Sequence, residues 1–193
     1  TRFTSKLKFV IGLAKKIAAA NGIDKIPAVQ EKLGELASLA ATAEGMLLAS
    51  EYECTIDKNG TAVPNPRFLY GAMGLQSELY PKVIAIFREL VGGGVLQVPS
   101  SFEELVNPET KEDMQKYIRS ATVNYEEKVQ LFKLAWDVIG SEFGGRHQQY
   151  EMFYAGAPFV AKGYSYRNYG YQEAEALAAK CLNGYSIPKE SLV

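Results

Sequence analysis

The stretch WDVIGSEFGGRHQQYEMFYAGAP, residues 136–158, combines two helix-breaking signals with several polar side chains. It begins as the end of an apolar helix. The glycine pair at 144–145 predicts a break, because glycine adopts backbone conformations that are closed to other residues. Helix-forming residues resume at Arg146, and the run at 154–158 predicts a second stop. We therefore expect a helical corner at 144–145 and a turn at 154–158.

The corner itself is the first candidate binding site. A helix that starts at Gly144 and Gly145 would leave its first N–H groups unpaired, and with Arg146 these groups would form an anion site. The alternative is a simple corner with a solvated arginine. His147 follows, but one histidine and two widely separated cysteines cannot supply a zinc-type ligand set.

Composition excludes several classes of protein. The chain has 193 residues, of which 47% are hydrophobic and 22% charged, which suits one domain with one core. A net charge of -1 gives no electrostatic reason to expect nucleic acid or an anionic membrane as partner. No apolar run is long enough to span a bilayer, and no signal peptide is evident. Cys54 and Cys181 do not form a disulfide framework, so we expect a cytoplasmic protein.

Apolar residues recur at helical spacing in four long segments. The predicted helices are a first, capped by Thr4 or Ser5 and ended by Asn21-Gly22; a second from Ile26-Pro27 to about Glu53; a third from about Arg67, bent at Pro81, to Gly92-Gly93-Gly94; and a fourth from Tyr125 to Glu142. Such helices with short connections predict an all-α fold, a four-helix bundle with extra short helices and a C-terminal tail.

Shorter elements are expected between and after these helices. They are turns at 57–60 and 64–66, an extended segment at 95–98, short helices after Ser101 and at 108–118, a packed loop or interface formed by the tyrosines of 162–171, and a last helix at 172–182.

The run GSEFGGRHQQYEMFYAGAP, residues 140–158, resembles the C-terminal signature of the reduced-flavin-dependent aromatic hydroxylases, the family of the 4-hydroxyphenylacetate 3-monooxygenase oxygenase component. Segments 2–9, 80–81, 90–94 and 99–101 follow in the order seen in such proteins, so the resemblance covers most of the chain. Within the family, the chain is most similar to the phenolic-acid hydroxylases that include 4-coumarate 3-hydroxylases.

The resemblance implies an acyl-CoA dehydrogenase-like fold, with an N-terminal helical domain, a middle β-domain and a C-terminal four-helix bundle. Residues 1–193 correspond to the bundle alone, and the chain begins without Met, so we expect a C-terminal fragment. Bundles of this fold pair into tetramers. The expected contact surface is the small-residue side of the second helix, formed by Ala37, Ala40, Ala41, Ala43 and Gly45.

The resemblance also implies a reaction. Reduced FAD (FADH2) is delivered by a separate NAD(P)H-flavin reductase, oxygen reacts with it, and one oxygen atom is transferred ortho to a phenol hydroxyl, which gives a catechol. The family's phenol-binding residues lie on the parts not matched here. No catalytic residue is therefore assigned, and His147 is not taken for the substrate histidine.

The implied flavin site uses backbone groups. Tyr154, Ala155, Gly156 and Ala157 resemble the Tyr-Glu-Gly-Thr turn that lies against flavin in acyl-CoA dehydrogenases, with Ala155 in place of the catalytic carboxylate. A hydroxylase needs no such base. We expect this turn to touch the flavin. In the same hypothesis, Gly144, Gly145 and Arg146 meet its phosphates or a neighbouring subunit, and Gly92, Gly93 and Gly94 line the same region.

Three other functions stay open. A 4-hydroxybutyryl-CoA dehydratase-like lyase would hold an iron–sulfur cluster beside FAD, although the chain offers only Cys54 and Cys181. A helical domain that serves oligomerisation alone would suit the apolar bundle. An acyl-CoA dehydrogenase is disfavoured by Ala155.

Overall fold

A computed structural model describes residues 1–185 of the chain, almost entirely as helices. The helices are α1 (Arg2–Ala20), α2 (Pro27–Tyr52), α3 (Pro66–Val91), α4 (Lys111–Tyr117), α5 (Tyr125–Ile139), α6 (Glu142–Phe153), α7 (Pro158–Asn168) and α8 (Tyr171–Leu182). Strands β1 (Thr55–Ile56) and β2 (Ala62–Val63) form one small hairpin. The predicted all-α class is confirmed. The predicted tail beyond residue 185 lies outside the described residues.

The core lies between α1, α2, α3 and α5. Phe87 of α3 and Phe132 of α5 are fully buried, as are Leu7 and Ile17 of α1 and Leu36 of α2. Side chains of this size contribute about 1.5–3 kcal/mol each when they are removed from water. The apolar stripes therefore face inward as their spacing predicts, and they fix the bundle that carries the other elements.

Most predicted helix ends are confirmed, but the start of α1 is not. Thr4 and Ser5 were expected to cap this helix; instead they lie in its first turn, and their hydroxyls donate to the carbonyl of Thr1. A hydroxyl that donates to an earlier carbonyl in this way is bonded inside a helix rather than capping it. At the other end, Gly22 has a φ of +68°, which agrees with the predicted stop.

The turn at 57–60 joins β1 to β2. The Asp57 carboxylate accepts hydrogen bonds from the N–H groups of Asn59 at 2.8 Å and Thr61 at 2.9 Å, and Gly60 has a φ of +80°. This is the self-bonding by which aspartate stabilises turns.

The segment at 95–98 is not extended. Gly92–Leu96 forms a 3₁₀ helix that follows α3 directly, and Val95 is buried in the core. A Cβ at Gly94 would lie 2.8 Å from Cε1 of Phe132, so glycine permits this close approach. Burying Val95 against α5 requires the tight path, which outweighs the strand propensity of the sequence.

The break between α5 and α6 lies at Gly140 and Ser141, and not at the glycine pair 144–145. Ser141 caps α6, since its Oγ accepts from the N–H of Gly144 at 3.0 Å. A serine cap defines a helix start better than glycines do. A Cβ at Gly144 would lie 2.6 Å from the carbonyl oxygen of Val138, so Gly144 lets α6 pack closely on the end of α5.

The tyrosines of 162–171 were expected in a packed loop or interface. Two of the four, Tyr164 and Tyr166, lie in helix α7, Tyr169 caps its end, and Tyr171 begins α8. Pro158 starts α7, where the missing N–H costs little. Ala161 is buried, and Gly74 of α3 lies opposite the side chains of Lys162 and Ser165. Packing against α3 therefore stabilises a helix that shows no clear apolar period.

None of the helices in the described range is long and apolar enough to cross a membrane.

Replacing the two adjacent glycines of α6 by alanine, one at a time, should affect the stability of the fold in opposite directions or to different extents. Gly144→Ala should lower the free energy of unfolding by about 1–3 kcal/mol, because the new methyl group overlaps the carbonyl of Val138. Gly145→Ala is the matched control. Its Cβ would meet no atom within 4 Å, and alanine is favoured over glycine in a helix, so stability should be unchanged or higher. Denaturant unfolding of both variants measures this, and equal effects would contradict the packing role of Gly144.

Candidate functional site

Glu151 is a buried carboxylate where α1, α3 and α6 meet, and its side chain is 0% exposed. Arg2 binds it with both terminal nitrogens, Nη1 to Oε1 at 2.5 Å and Nη2 to Oε2 at 3.0 Å. Lys6 donates to Oε1 as well. Gln76 Nε2 donates to Oε2 at 2.7 Å and to the main-chain oxygen of Glu151 at 3.2 Å. Three helices are thus tied to one carboxylate.

The spacing of Arg2 and Lys6 explains how both cations reach Glu151. Residues four apart lie on the same face of a helix, one turn above the other. Burial alone would raise the pKa of Glu151, but the hydrogen bonds and charges of Arg2 and Lys6 outweigh burial and hold this pKa below its ordinary value. The carboxylate is therefore ionised at neutral pH. Two cations face one anion, so the cluster keeps a net positive charge.

A ladder of rings runs along α6 beside this cluster. It consists of Phe143, His147, Tyr150 and Tyr154, and the distances between successive ring centroids are 4.5, 5.8 and 5.4 Å. The guanidinium carbon of Arg2 lies 4.1 Å from the Tyr154 centroid and 5.1 Å from that of Tyr150. These distances are within the range of cation–π attraction.

His147 is held as a neutral ring. Desolvation and the charge of Lys6 lower the pKa of His147, and its Nδ1 lies 2.5 Å from the ammonium nitrogen of Lys6. Lysine can only donate, so Nδ1 accepts and the proton resides on Nε2. Burial and the Glu151 charge raise the pKa of Tyr80 nearby to about 12. A cavity of about 450 Å³ opens between α1, α3, α5 and α6, with Lys6, Tyr80 and His147 among its lining residues.

The predicted turn at 154–157 directly follows the ladder. Tyr154 is 55% exposed, and Gly156 has a φ of +95° and donates its N–H to the carbonyl of Phe153 at 2.9 Å. A Cβ at Gly156 would meet nothing within 4 Å. The space on the Cβ side of Gly156 is therefore open. The contact of this turn with flavin stays a prediction.

The other predicted flavin residues lie elsewhere. A Cβ at Gly92 or Gly93 would also meet no atom within 4 Å. With Gly94, these glycines line a separate cavity of about 480 Å³, which Lys128 and Phe132 line as well. Tyr154 lines a cavity of about 210 Å³ next to Arg2. Within one chain, Tyr154 and the glycines at 92–94 therefore line different cavities. Their joint role in a flavin site stays a prediction.

The corner at 144–146 differs from expectation. The N–H groups of Gly144 and Gly145 are both paired, with the side chain and the carbonyl of Ser141, so they are not the free donors that were predicted. Arg146 is exposed and forms an ion pair with Glu142, with Nη2 at 2.6 Å from Oε1. Residues 144–146 lie inside α6, so the predicted corner does not form there, and their contact with flavin phosphates or a neighbouring subunit stays a prediction.

The small residues of α2 do not all lie on one exposed surface. Ala37, Ala41 and Gly45 are exposed, whereas Ala43 is buried in the core. The predicted oligomer contact on this face is untested by a single chain. Within residues 1–185, Cys54 and Cys181 are exposed free thiols, and no group of three metal-ligating side chains is present.

The carboxylate cluster is the feature that the sequence did not reveal. Glu151 reads as an ordinary helix former, and Gln76 carries no distinguishing pattern. The available signal was the four-residue spacing of Arg2 and Lys6 in a segment that resembles the hydroxylase family. Nothing local links those cations to a carboxylate 145 or more residues away.

Comparison with known proteins gives a consistent result. Residues 1–183 match the family described as 4-hydroxyphenylacetate 3-hydroxylase C terminal. The chain is 36% identical over 157 residues to a (3S)-3-amino-3-(3-chloro-4-hydroxyphenyl)propanoyl-peptidyl-carrier-protein monooxygenase of Streptomyces globisporus. It is 33% identical over 157 residues to the 4-hydroxyphenylacetate 3-monooxygenase oxygenase component of Escherichia coli. Each alignment covers 81% of the chain and 30% of the relative.

A solved structure shares the fold. The oxygenase component of 4-hydroxyphenylacetate 3-monooxygenase, complexed with FAD and 4-hydroxyphenylacetate, matches with a TM-score of 0.86 at 28% identity. This match covers 94% of the chain and 38% of the solved one. The chain therefore spans about a third of the length of the proteins it resembles.

Replacing Glu151 tests the cluster. Glu151→Gln should lower the free energy of unfolding by about 3 kcal/mol, because it leaves two cations without their carboxylate. The native pKa of Glu151 is depressed, so its contribution is complete above the unfolded-state pKa and is lost as pH falls through the native value. The difference between wild type and variant should therefore shrink below about pH 4.

Glu78→Gln is the control for this experiment, since its carboxylate pairs with Lys162 at the surface and is 61% exposed. It should change stability little at any pH. Equal losses for the two variants in denaturant unfolding would show that Glu151 has no special role.

Proposed function

The chain belongs to the 4-hydroxyphenylacetate 3-hydroxylase family, and on that premise we propose that it is part of the oxygenase component of a two-component flavin-dependent monooxygenase. The protein hydroxylates a phenolic substrate ortho to its hydroxyl group and forms a catechol. Reduced FAD and oxygen are its co-substrates. This segment supplies part of the FAD site and the oligomer interface. The segment alone is not expected to be active.

The observation that carries the proposal is the open turn at 154–157. Gly156 takes a positive φ, and the space beside its backbone is open. By sequence resemblance, Ala155 takes the place of the carboxylate in the acyl-CoA dehydrogenase turn. Removal of an α-proton requires a positioned base, and Ala155 cannot act as one. The geometry therefore supports oxygen transfer over acyl-CoA oxidation.

Reduced flavin, when bound, supplies the oxygen chemistry that side chains cannot perform. The residues of this chain orient it. The turn would offer main-chain groups to the bound ring system, and the Tyr154 ring, at the end of the ladder, would help to exclude water from one side of it. Gly92 and Gly93 present a second bare backbone surface, which suits the remainder of the same cofactor or of one bound by a neighbouring copy.

The finer features of the function rest on the relatives. The Escherichia coli relative is named for 4-hydroxyphenylacetate and the Streptomyces globisporus relative for a chlorinated, carrier-bound phenol. Both names describe a phenol, which supports a phenolic substrate of the 4-hydroxyphenylacetate or 4-coumarate type. A flavin reductase that supplies the reduced cofactor, a homotetramer and a cytoplasmic location complete the proposal.

The test is an anaerobic titration of the intact protein with oxidised and with reduced FAD, followed by exposure to oxygen with 4-hydroxyphenylacetate or 4-coumarate. We expect tighter binding of reduced FAD and a catechol product. Tight binding of oxidised FAD together with iron and sulfide would favour a dehydratase. Reduction by acyl-CoA would favour a dehydrogenase, and failure to bind either form of FAD would leave a domain for oligomerisation.

Gly156→Val tests the turn within the same assay. A branched side chain in the left-handed region strains the backbone and blocks the open face, so reduced-FAD affinity should fall by about 10-fold or more. Gly60→Val is the matched control, because Gly60 also has a positive φ and open space but lies in the β1–β2 hairpin. Unchanged affinity in Gly156→Val would remove the turn from the flavin site.

A further inference from the structure

We infer that Arg2 is a positioning residue, which holds the Tyr154–Ala157 turn in its flavin-binding conformation by stacking its guanidinium on the Tyr154 ring. The inference rests on the proposed function, since it concerns the turn assigned there to the flavin. It adds a residue from the opposite end of the sequence to that site. It also separates the roles of the two cations that bind Glu151.

The guanidinium of Arg2 has a fixed plane. Its two terminal nitrogens bind the two oxygens of Glu151, and that carboxylate is held in turn by Gln76 of α3. Bidentate binding fixes orientation as well as distance. The plane is therefore set by the buried core and not by the turn.

Tyr154 is placed against this fixed plane. Its ring centroid lies 4.1 Å from the guanidinium carbon of Arg2 and 5.4 Å from the Tyr150 ring. Beyond it the chain leaves the helix, and Gly156 takes a positive φ. Glycine allows many backbone conformations, so the position of the turn depends on an anchor just before it. The stacked Tyr154 ring is such an anchor.

Hydrogen bonding does not satisfy every donor of the Arg2 side chain. Its Nε is buried and has no acceptor among the described residues. Buried donors are nearly always satisfied, and an exception calls for an explanation. Here the bidentate pairing with Glu151 determines where the guanidinium lies, at the expense of one hydrogen bond.

Lys6 has a different role. Its ammonium contacts Glu151 and His147, and it lies 5.7 Å from the centroid of the Tyr150 ring. When Arg2 is replaced, Glu151 keeps Lys6 and Gln76 as partners. Arg2 variants are therefore expected to fold, with the loss concentrated at the turn. Lysine cannot replace Arg2, because it offers neither the planar stack nor two parallel donors.

A double-mutant cycle in the intact protein tests the inference, with the affinity for reduced FAD as the measurement. Arg2→Gln and Tyr154→Leu should each weaken binding by about 10-fold, and the double variant should be no weaker than either single one. Tyr154→Phe keeps the ring and should bind more tightly than Tyr154→Leu, whereas Arg2→Lys should bind like Arg2→Gln. Lys8→Gln on the same helix removes an exposed ion pair and should have no effect.

Three results would overturn the inference. Multiplied effects in the double variant, about 100-fold in total, would mean that Arg2 and Tyr154 act independently. Full affinity in Arg2→Lys would reduce the role of Arg2 to its charge. Tyr154→Leu leaves the buried ion pairs intact. Wild-type affinity in this variant would show that the Tyr154 ring does not hold the turn, even if the Arg2 variants failed to fold. Absence of reduced-FAD binding in the wild type would instead reject the proposed function together with this inference.

Discussion

The pairing of one buried carboxylate with two cations determines how α6 lies on the bundle. A charge removed from water is tolerated only when it is well paired, and Glu151 receives Arg2, Lys6 and Gln76. These donors come from α1 and α3, so α6 has one rotation and one position along the bundle that satisfy its carboxylate. Apolar packing alone is less specific, because α6 buries only Gly144 and Glu151. The ion cluster therefore replaces the apolar stripe that this helix lacks.

The pairing of Glu151 also determines where the elements after α6 lie. Gly144 brings the start of the helix against α5, and Glu151 fixes its last turn. The Tyr154–Ala157 turn begins three residues beyond Glu151, close to a rigid anchor, yet its backbone remains open. A rigid support beneath an open backbone is what a cofactor contact requires. The helix α7 then packs on α3 through Ala161 and Gly74, which closes the other end of the turn.

The parts of the fold that follow from local signals could be predicted from the sequence. Apolar residues at helical spacing, the stop at Asn21-Gly22 and the start at Pro27 predicted α1, α2, α3 and α5, because each signal acts within a few residues. The break before α6 was misplaced, since the serine cap at 141 outweighs the glycines beside it. The 3₁₀ segment at 92–96 and helix α7 depend on packing against distant elements. For the same reason Glu151, whose partners are remote in the sequence, escaped notice as part of the site.

The central claim is that the backbone after α6 forms one face of the reduced-flavin site. Hydrogen exchange of the intact protein, measured by mass spectrometry with and without reduced FAD under anaerobic conditions, tests it directly. Peptides that cover residues 153–160 should gain protection when reduced FAD is added, while peptides that cover the β1–β2 hairpin at 55–63 should not change. Protection elsewhere in the protein, with residues 153–160 exchanging at the same rate in both states, would contradict the claim.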